Sequence, residues 1–420
     1  MNERPANPAL RWHASWLFTA PHRLCFFAGA LMMASTSLWW CTTLILRTFQ
    51  FRATWAIPPA AAHGLLMSVG FMPFFFAGFI FTAVPKWLRQ PPVSARSLAL
   101  PLAAMLAGWI AVYVGVQMRA SVAGVGLVLV ASGWSGICLR LFGLIHRSRV
   151  TDRLHTLLLA TACGTGAATL WLAAAALLLG DDLLLQAAVD LALWCFVAPV
   201  FAVVSHRTLP IYGSTPLQTL DQRHPTWLLW PTAGLLWFQG PFTAMQLFGP
   251  VPDAALWVVA ALQAGAAALL LWLAVRWAQV RNMKIRLLAM LHTAFVWLGL
   301  CMALAAVSHA LMAATAGRGS LGLAPLHAMA MGYLGTTLLA VVTRLTSAHS
   351  GHPHPVDNTL WRLYKLLQLA VVLRVLGALW PAAASSLILA AVLVWALVTV
   401  WWAIRYGRWL GLPRADGRPG

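Results

Sequence analysis

The chain has 420 residues, 61% of them hydrophobic and only 9% charged, with a mean hydropathy of +0.79. A soluble protein carries about 25% charged residues, so this composition excludes a soluble domain of any size and points to an integral membrane protein made of spanning helices. The net charge of +19 does not mark a nucleic-acid surface, because the basic residues sit singly or in short clusters between apolar runs, the pattern that orients helices in a bilayer. The expected partner is the lipid bilayer, with no nucleic acid.

A spanning helix needs about 20 apolar residues. Runs bounded by charges and Pro/Gly breaks predict about twelve: 22–47, 58–86, 96–116, 120–145, 154–180, 183–206, 226–249, 253–276, 286–312, 322–346, 360–380 and 382–404. The last two are parted only by Trp380-Pro381, so eleven is the competing count. The expected fold is an all-α, polytopic membrane protein forming one domain over residues 1–420. The opening stretch, through Arg23, lacks the apolar core and small-residue cleavage site of a secretory leader. Basic residues of short loops set orientation. With the N-terminus in the cytoplasm, 23 of the 28 Lys and Arg fall on the cytoplasmic side and four on the other, with Arg374 inside a helix. Both the N-terminus and the C-terminus are therefore expected in the cytoplasm. The 23 tryptophans are expected at the two interfaces or in helix packing.

Two charges lie inside predicted helices, Asp190 in the sixth and Arg374 in the eleventh. Left unpaired, each costs several kcal/mol, so they are expected to pair with each other. Proton transfer, or the holding of a cofactor carboxylate, is the functional alternative. The six cysteines all lie in apolar stretches with no C-x-x-C pair, which argues against disulfides and against a thiolate metal site. No internal duplication is legible, although the second and tenth runs both begin with a histidine followed by glycine.

Histidines number 13 against nine acidic residues, and the helix order sorts them by depth. His63, His309 and His327 share an outer layer, within roughly 10 Å of that interface at about 1.5 Å per residue. His22, His206, His292 and His349 form an inner set. His292 and His309 are 17 residues apart on one helix, about 25 Å, so they cannot hold the same ion. Two layers of neutral imidazole point to two metal centres, since His is the commonest ligand for haem iron and for copper. His13, His146, His155, His224, His352 and His354 fall in or beside loops and read as interface residues. A Walker loop, G-x-S-x-G, H-E-x-x-H, C-x-x-C-H and an acidic pair deep in a helix are all missing from the sequence, which sets aside the chemistries they serve.

Three stretches carry a resemblance. The first runs from His63-Gly64 to Gly78–Trp87 (GFIFTAVPKW). The second is SHRTLP at Ser205–Pro210. The third is LHAMAMGYLG at Leu326–Gly335 with VTRLTSAHSGHP at Val342–Pro353 and, later, LRVL at Leu373–Leu376. In order and spacing, along the whole chain from His22, they resemble the NnrS family. Many members carry a second His and a Glu after the first His of the second helix, where this chain reads His63-Gly64-Leu65-Leu66. The resemblance implies a twelve-helix bacterial inner-membrane protein with haem and copper, tied to denitrification and to tolerance of nitric oxide and nitrosative stress. Its family-like positions here are His63, His206, Arg207, His327, Arg344 and His349.

On that footing a haem iron held by the outer layer, through His63 and His327 first and His309 third, is expected to bind or reduce nitric oxide. His206, His292 and His349 then serve an inner centre, with Arg207 and Arg344 as partners for haem propionates, because arginine pairs with carboxylates bidentately. Turnover draws on an electron donor of unknown identity. Rival readings are a multi-helix transporter of a metal or small solute, which usually shows repeats and a site near the midplane, and a non-catalytic sensor or assembly factor.

Overall fold

The computed structural model describes residues 11–212, 226–280, 283–352 and 356–416, and among these it is helical with no strand. His224 and His354 lie outside the described residues. Twelve long helices succeed one another: α1 Pro21–Thr48, α2 Pro59–Trp87, α3 Arg96–Met118, α4 Ala120–Arg147, α5 Leu154–Leu179, α6 Asp182–Arg207, α7 Thr226–Met245, α8 Asp253–Val280, α9 Arg286–Ala314, α10 Ala324–His349, α11 Asn358–Leu379 and α12 Ala384–Leu410. Ten are long and apolar enough to cross a membrane. The other two have the length but not the composition: α7 contains Pro231, Gln239 and Pro241, and α11 contains Arg362, Lys365 and Arg374.

Local chemistry places the helix ends. Proline opens α1 at Pro21 and α2 at Pro59, where its missing N–H is no loss. The carboxylates of Asp181 and Asp357 accept from the backbone N–H of Leu184 and Leu360, capping α6 and α11. Gly180, at φ +70°, ends α5 in the left-handed region that favours glycine.

Sequence neighbours pair as hairpins, α3 with α4, α4 with α5, α8 with α9 and α11 with α12, while α1 packs on both α2 and α12. The centre is α2, α6 and α10. Their apolar windows are 89%, 83% and 83% buried, against 56% or less for the other membrane-length helices. Each central helix is interrupted by a π segment, at Leu66–Gly70, Ala192–Val197 and Ala328–Gly335. A π turn inserts an extra residue and re-aims the side chains beyond it, and such turns gather at functional sites. The interruption thus recurs in every fourth helix, a backbone regularity with no counterpart in the residues around it.

Close contacts and polar links tie the bundle together. A Cβ on Gly108 of α3 or on Gly126 of α4 would strike the other's carbonyl oxygen, so these two backbones touch. Trp297 of α9 lies across Gly332 of α10, where a Cβ would come 2.6 Å from its ring. The Trp297 Nε1–H donates to Gln368 Oε1 (2.8 Å), and Gln368 Nε2 donates to Thr336 Oγ1 (2.9 Å), joining α9, α11 and α10. Trp402 Nε1 donates to Thr343 Oγ1 (2.7 Å), linking α12 to α10. Trp109, Trp134 and Trp402 are fully buried, so these tryptophans act in packing rather than at an interface.

One expectation is overturned. Asp190 and Arg374 form no ion pair: neither makes a hydrogen bond or salt bridge among the described residues, and burial alone perturbs each of them, with no charge of the other acting on it. Depth permits the pairing, but the packing of α6 and α11 does not bring the two side chains together. At the end of the bundle that carries both termini, His13 N–H donates to Gly411 O (2.9 Å) and Arg23 Nη1 reaches Leu412 O (2.7 Å) and Leu410 O (3.1 Å).

Candidate functional site

At the end opposite the termini, His63 lies in the first turns of α2 and His327 in the first turn of α10. Gly64 leaves room for α6: a Cβ there would come 3.2 Å from Val189. The His63 ring stacks on Trp40 of α1, with centroids 3.9 Å apart and planes 18° from parallel. Its Nδ1 is buried without a hydrogen-bond partner. His327 is buried, and its Nδ1–H donates to Leu323 O at 2.9 Å. A carbonyl oxygen only accepts, so this bond sets the tautomer and leaves Nε2 with its lone pair. The two imidazoles lie within each other's electrostatic reach, and Arg374 of α11 acts on both. Arg374 is half-buried and has no hydrogen-bond or ionic partner among the described residues.

His309 shares their depth but not their company. Its Nδ1 meets Gln263 Oε1 at 2.8 Å, and Gln263 Nε2 donates to Gln239 Oε1 at 2.8 Å. The three buried side chains form a polar rung across α9, α8 and α7, with Phe242 edge-on to His309 at 5.3 Å. The outer layer is therefore a pair and a separate, satisfied histidine.

The inner set divides further. His206, near the end of α6, meets His155 Nε2 through its Nδ1 at 3.0 Å, while Arg207 Nη1 lies 3.5 Å from His155 Nδ1 and 3.6 Å from Asp152 Oδ2. His206 also lines a small cavity of about 50 Å³ with Ser205, Thr232, Tyr333 and Thr337. His155, read from sequence as a loop residue, thus belongs to a histidine dyad. His349, at the end of α10, packs against His22 of α1 with centroids 4.1 Å apart and ring planes 32° from parallel. The cationic groups acting on that pair are Arg23, Lys86 and Arg414; Arg344, half-buried on the same helix as His349, is not among them. His292 lines a separate groove of about 400 Å³ between α8 and α9. Beyond the last helix, the pKa of Arg414 is raised by its hydrogen bonds to Asp416 (2.9 and 2.6 Å).

Among the described residues no three of His, Cys, Asp and Glu come together as metal ligands. What lies together instead is the half-buried His63 and the buried His327 with an unpaired arginine, on the second, tenth and eleventh helices of the spanning order. The family model described as NnrS protein matches residues 16–414. The chain belongs to the NnrS family. A search of curated proteins finds no match. The match covers every helix of this NnrS-family chain, including His63, His327 and Arg374, so the central trio and the site at its end lie wholly within the family's span. Sequence reasoning favours a packing role for Arg374. The signal that marks it is depth: five residues from the end of α11, it lies about as far in as His63 and His327 do.

Proposed function

We propose that this chain carries haem at the end of the bundle opposite the termini, where His63 and His327 would hold it, and acts there on nitric oxide. The observation that supports the reading is that a half-buried and a buried imidazole from two central helices lie within electrostatic reach of each other and of one unpaired arginine. The donor set fits the group. Neutral imidazole is a usual haem ligand, His327 presents a free Nε2, and His63 has a buried nitrogen in want of a partner. A backbone bond on the far nitrogen is the arrangement that orients a ligating histidine. Arg374, rather than Arg207 or Arg344, is the cation beside the pair and the partner for a propionate. Bound haem supplies an iron that takes a diatomic gas or passes an electron.

The residues divide the work. His327, oriented by its bond to Leu323 O, would hold the group from α10, and His63, stacked on Trp40, would hold it from α2. Nitric oxide reaches the site through lipid, and an external electron donor serves any turnover. For copper the described residues offer pairs of donors and no triad, so no step is assigned to it. The protein is read as spanning the bacterial inner membrane through all twelve helices with both termini cytoplasmic, which rests on the bias in Lys and Arg and puts the haem near the periplasmic face.

The test is the absorption spectrum of detergent-purified protein with metal analysis. A Soret band is expected, altered in His63→Ala and in His327→Ala but not in His309→Ala, and shifted by nitric oxide. Absence of haem from protein expressed with ample haem supply would sink the reading and favour a transporter.

A further inference from the structure

The end of the bundle that carries the termini holds a second polar cluster, which the haem reading does not use. His22 and Arg23 open α1, Thr82 and Lys86 stand in the last turns of α2, and Thr346, Ser347 and His349 close α10. Helix α1 packs against both of the others. One turn before Thr82, Gly78 faces Phe26 and Cys25 of α1, which turns Thr82 toward the start of that helix. His22 is 5% exposed and Arg23 1%. Both ring nitrogens of His22, Arg23 Nη2, Thr82 Oγ1, Thr346 Oγ1 and Ser347 Oγ are buried with no hydrogen-bond partner. Six of the thirteen such atoms among the described residues belong to these three helix ends, and buried polar atoms in that number, most of them donors, are stable only where something partners them.

The surrounding charge is one-sided. The contacting rings of His22 and His349 lie in the field of Arg23, Lys86 and Arg414. Asp416 is held by Arg414, and neither Arg23 nor Lys86 has an acidic partner among the described residues. A metal cation is repelled by these groups, and among the described residues no third His, Cys, Asp or Glu joins the two imidazoles. Water satisfies donors but leaves the charge standing. An anion answers both.

We infer that this cluster is an oxyanion site, taking a phosphate-type group whose oxygens accept from His22, Arg23 Nη2 and the neighbouring hydroxyls. Lys86, exposed at the rim, supplies further positive charge. The other arm of the Arg23 fork holds Leu410 O and Leu412 O, so occupancy of the site braces the C-terminal segment against α1. The phosphate belongs either to a free inorganic ion or to a phospholipid headgroup.

The experiment uses full-length protein in an uncharged detergent, with the variants Lys86→Gln, which removes an exposed charge, and His22→Phe, which keeps a ring against His349. Inorganic phosphate is titrated by calorimetry and by thermal unfolding at constant ionic strength set with chloride. Intact-protein mass spectrometry, before and after delipidation, reports any retained phospholipid. Saturable phosphate binding, weakened at least tenfold in both variants, supports a free ion. A phospholipid that stays on the wild type, is lost from both variants and must be stripped before phosphate binds identifies the headgroup as the source. If neither binds beyond the chloride control, or if both variants bind as the wild type does, the cluster is a hydrated basic patch and the proposal is wrong.

Discussion

Replacing Arg374 with methionine separates two effects of opposite sign. Arg374 lies five residues from the end of α11, about 7–8 Å along the helix at about 1.5 Å per residue. An arginine at the bilayer centre costs about 2.5–3.5 kcal/mol on insertion scales. This one is nearer the interface and half-buried, and its stem is long enough to reach outward, so about 1–2 kcal/mol remains. Methionine keeps an unbranched stem and removes the charge, and the haem-free variant should be more stable by about that amount. The same change deletes a charge-assisted bond to a propionate, worth about 1.5–3 kcal/mol, and haem affinity should fall roughly 10- to 150-fold. Unfolding of haem-free and haem-loaded protein in one detergent, with a Soret titration of haem, reads both. A destabilised haem-free variant whose haem affinity is unchanged refutes the reasoning, because Arg374 would then be serving the protein's own packing.

Three other outcomes are expected from the packing. Gln263→Leu strands His309 Nδ1 and the Gln239 carbonyl; at about 0.6–1.7 kcal/mol per interhelical bond in a membrane, thermal unfolding should show a loss of about 1–3 kcal/mol with the haem spectrum unchanged. Gly332→Leu drives a side chain into Trp297, an overpacking cost of about 1–3 kcal/mol, and adding Trp297→Leu should recover most of the lost melting temperature. Asp357→Ala removes both the cap on Leu360 N–H and the partner of Arg405, and denaturation in detergent should register a loss of about 1–2 kcal/mol.

Much of the helical layout is legible in the residues because each end has a local cause. The run beginning at Pro59 opens where proline is tolerated, and the run ending before Gly180 stops where a left-handed residue is needed. The π segments are not legible. They arise where three central helices crowd together, and nothing in AMAMGYLG at 328–335 announces a wider turn. The partners of His155 and His22 are hidden for the same kind of reason. Each lies at a helix end, where a single histidine ordinarily meets water, and only the neighbouring helix shows that it meets a second histidine instead.

The sequence by itself determined the class of protein, an all-helical polytopic membrane protein of the NnrS family, and how far along their helices His63, His309 and His327 lie. Depth is local, since every residue of a helix advances it by about 1.5 Å whatever surrounds it. The direction a side chain faces is set by how twelve helices pack, and by π turns that rotate the residues beyond them. The tertiary structure therefore decided which groups at one depth meet. His63 and His327 share Arg374, His309 turns to Gln263, and Asp190 and Arg374, close enough in depth to pair, do not meet.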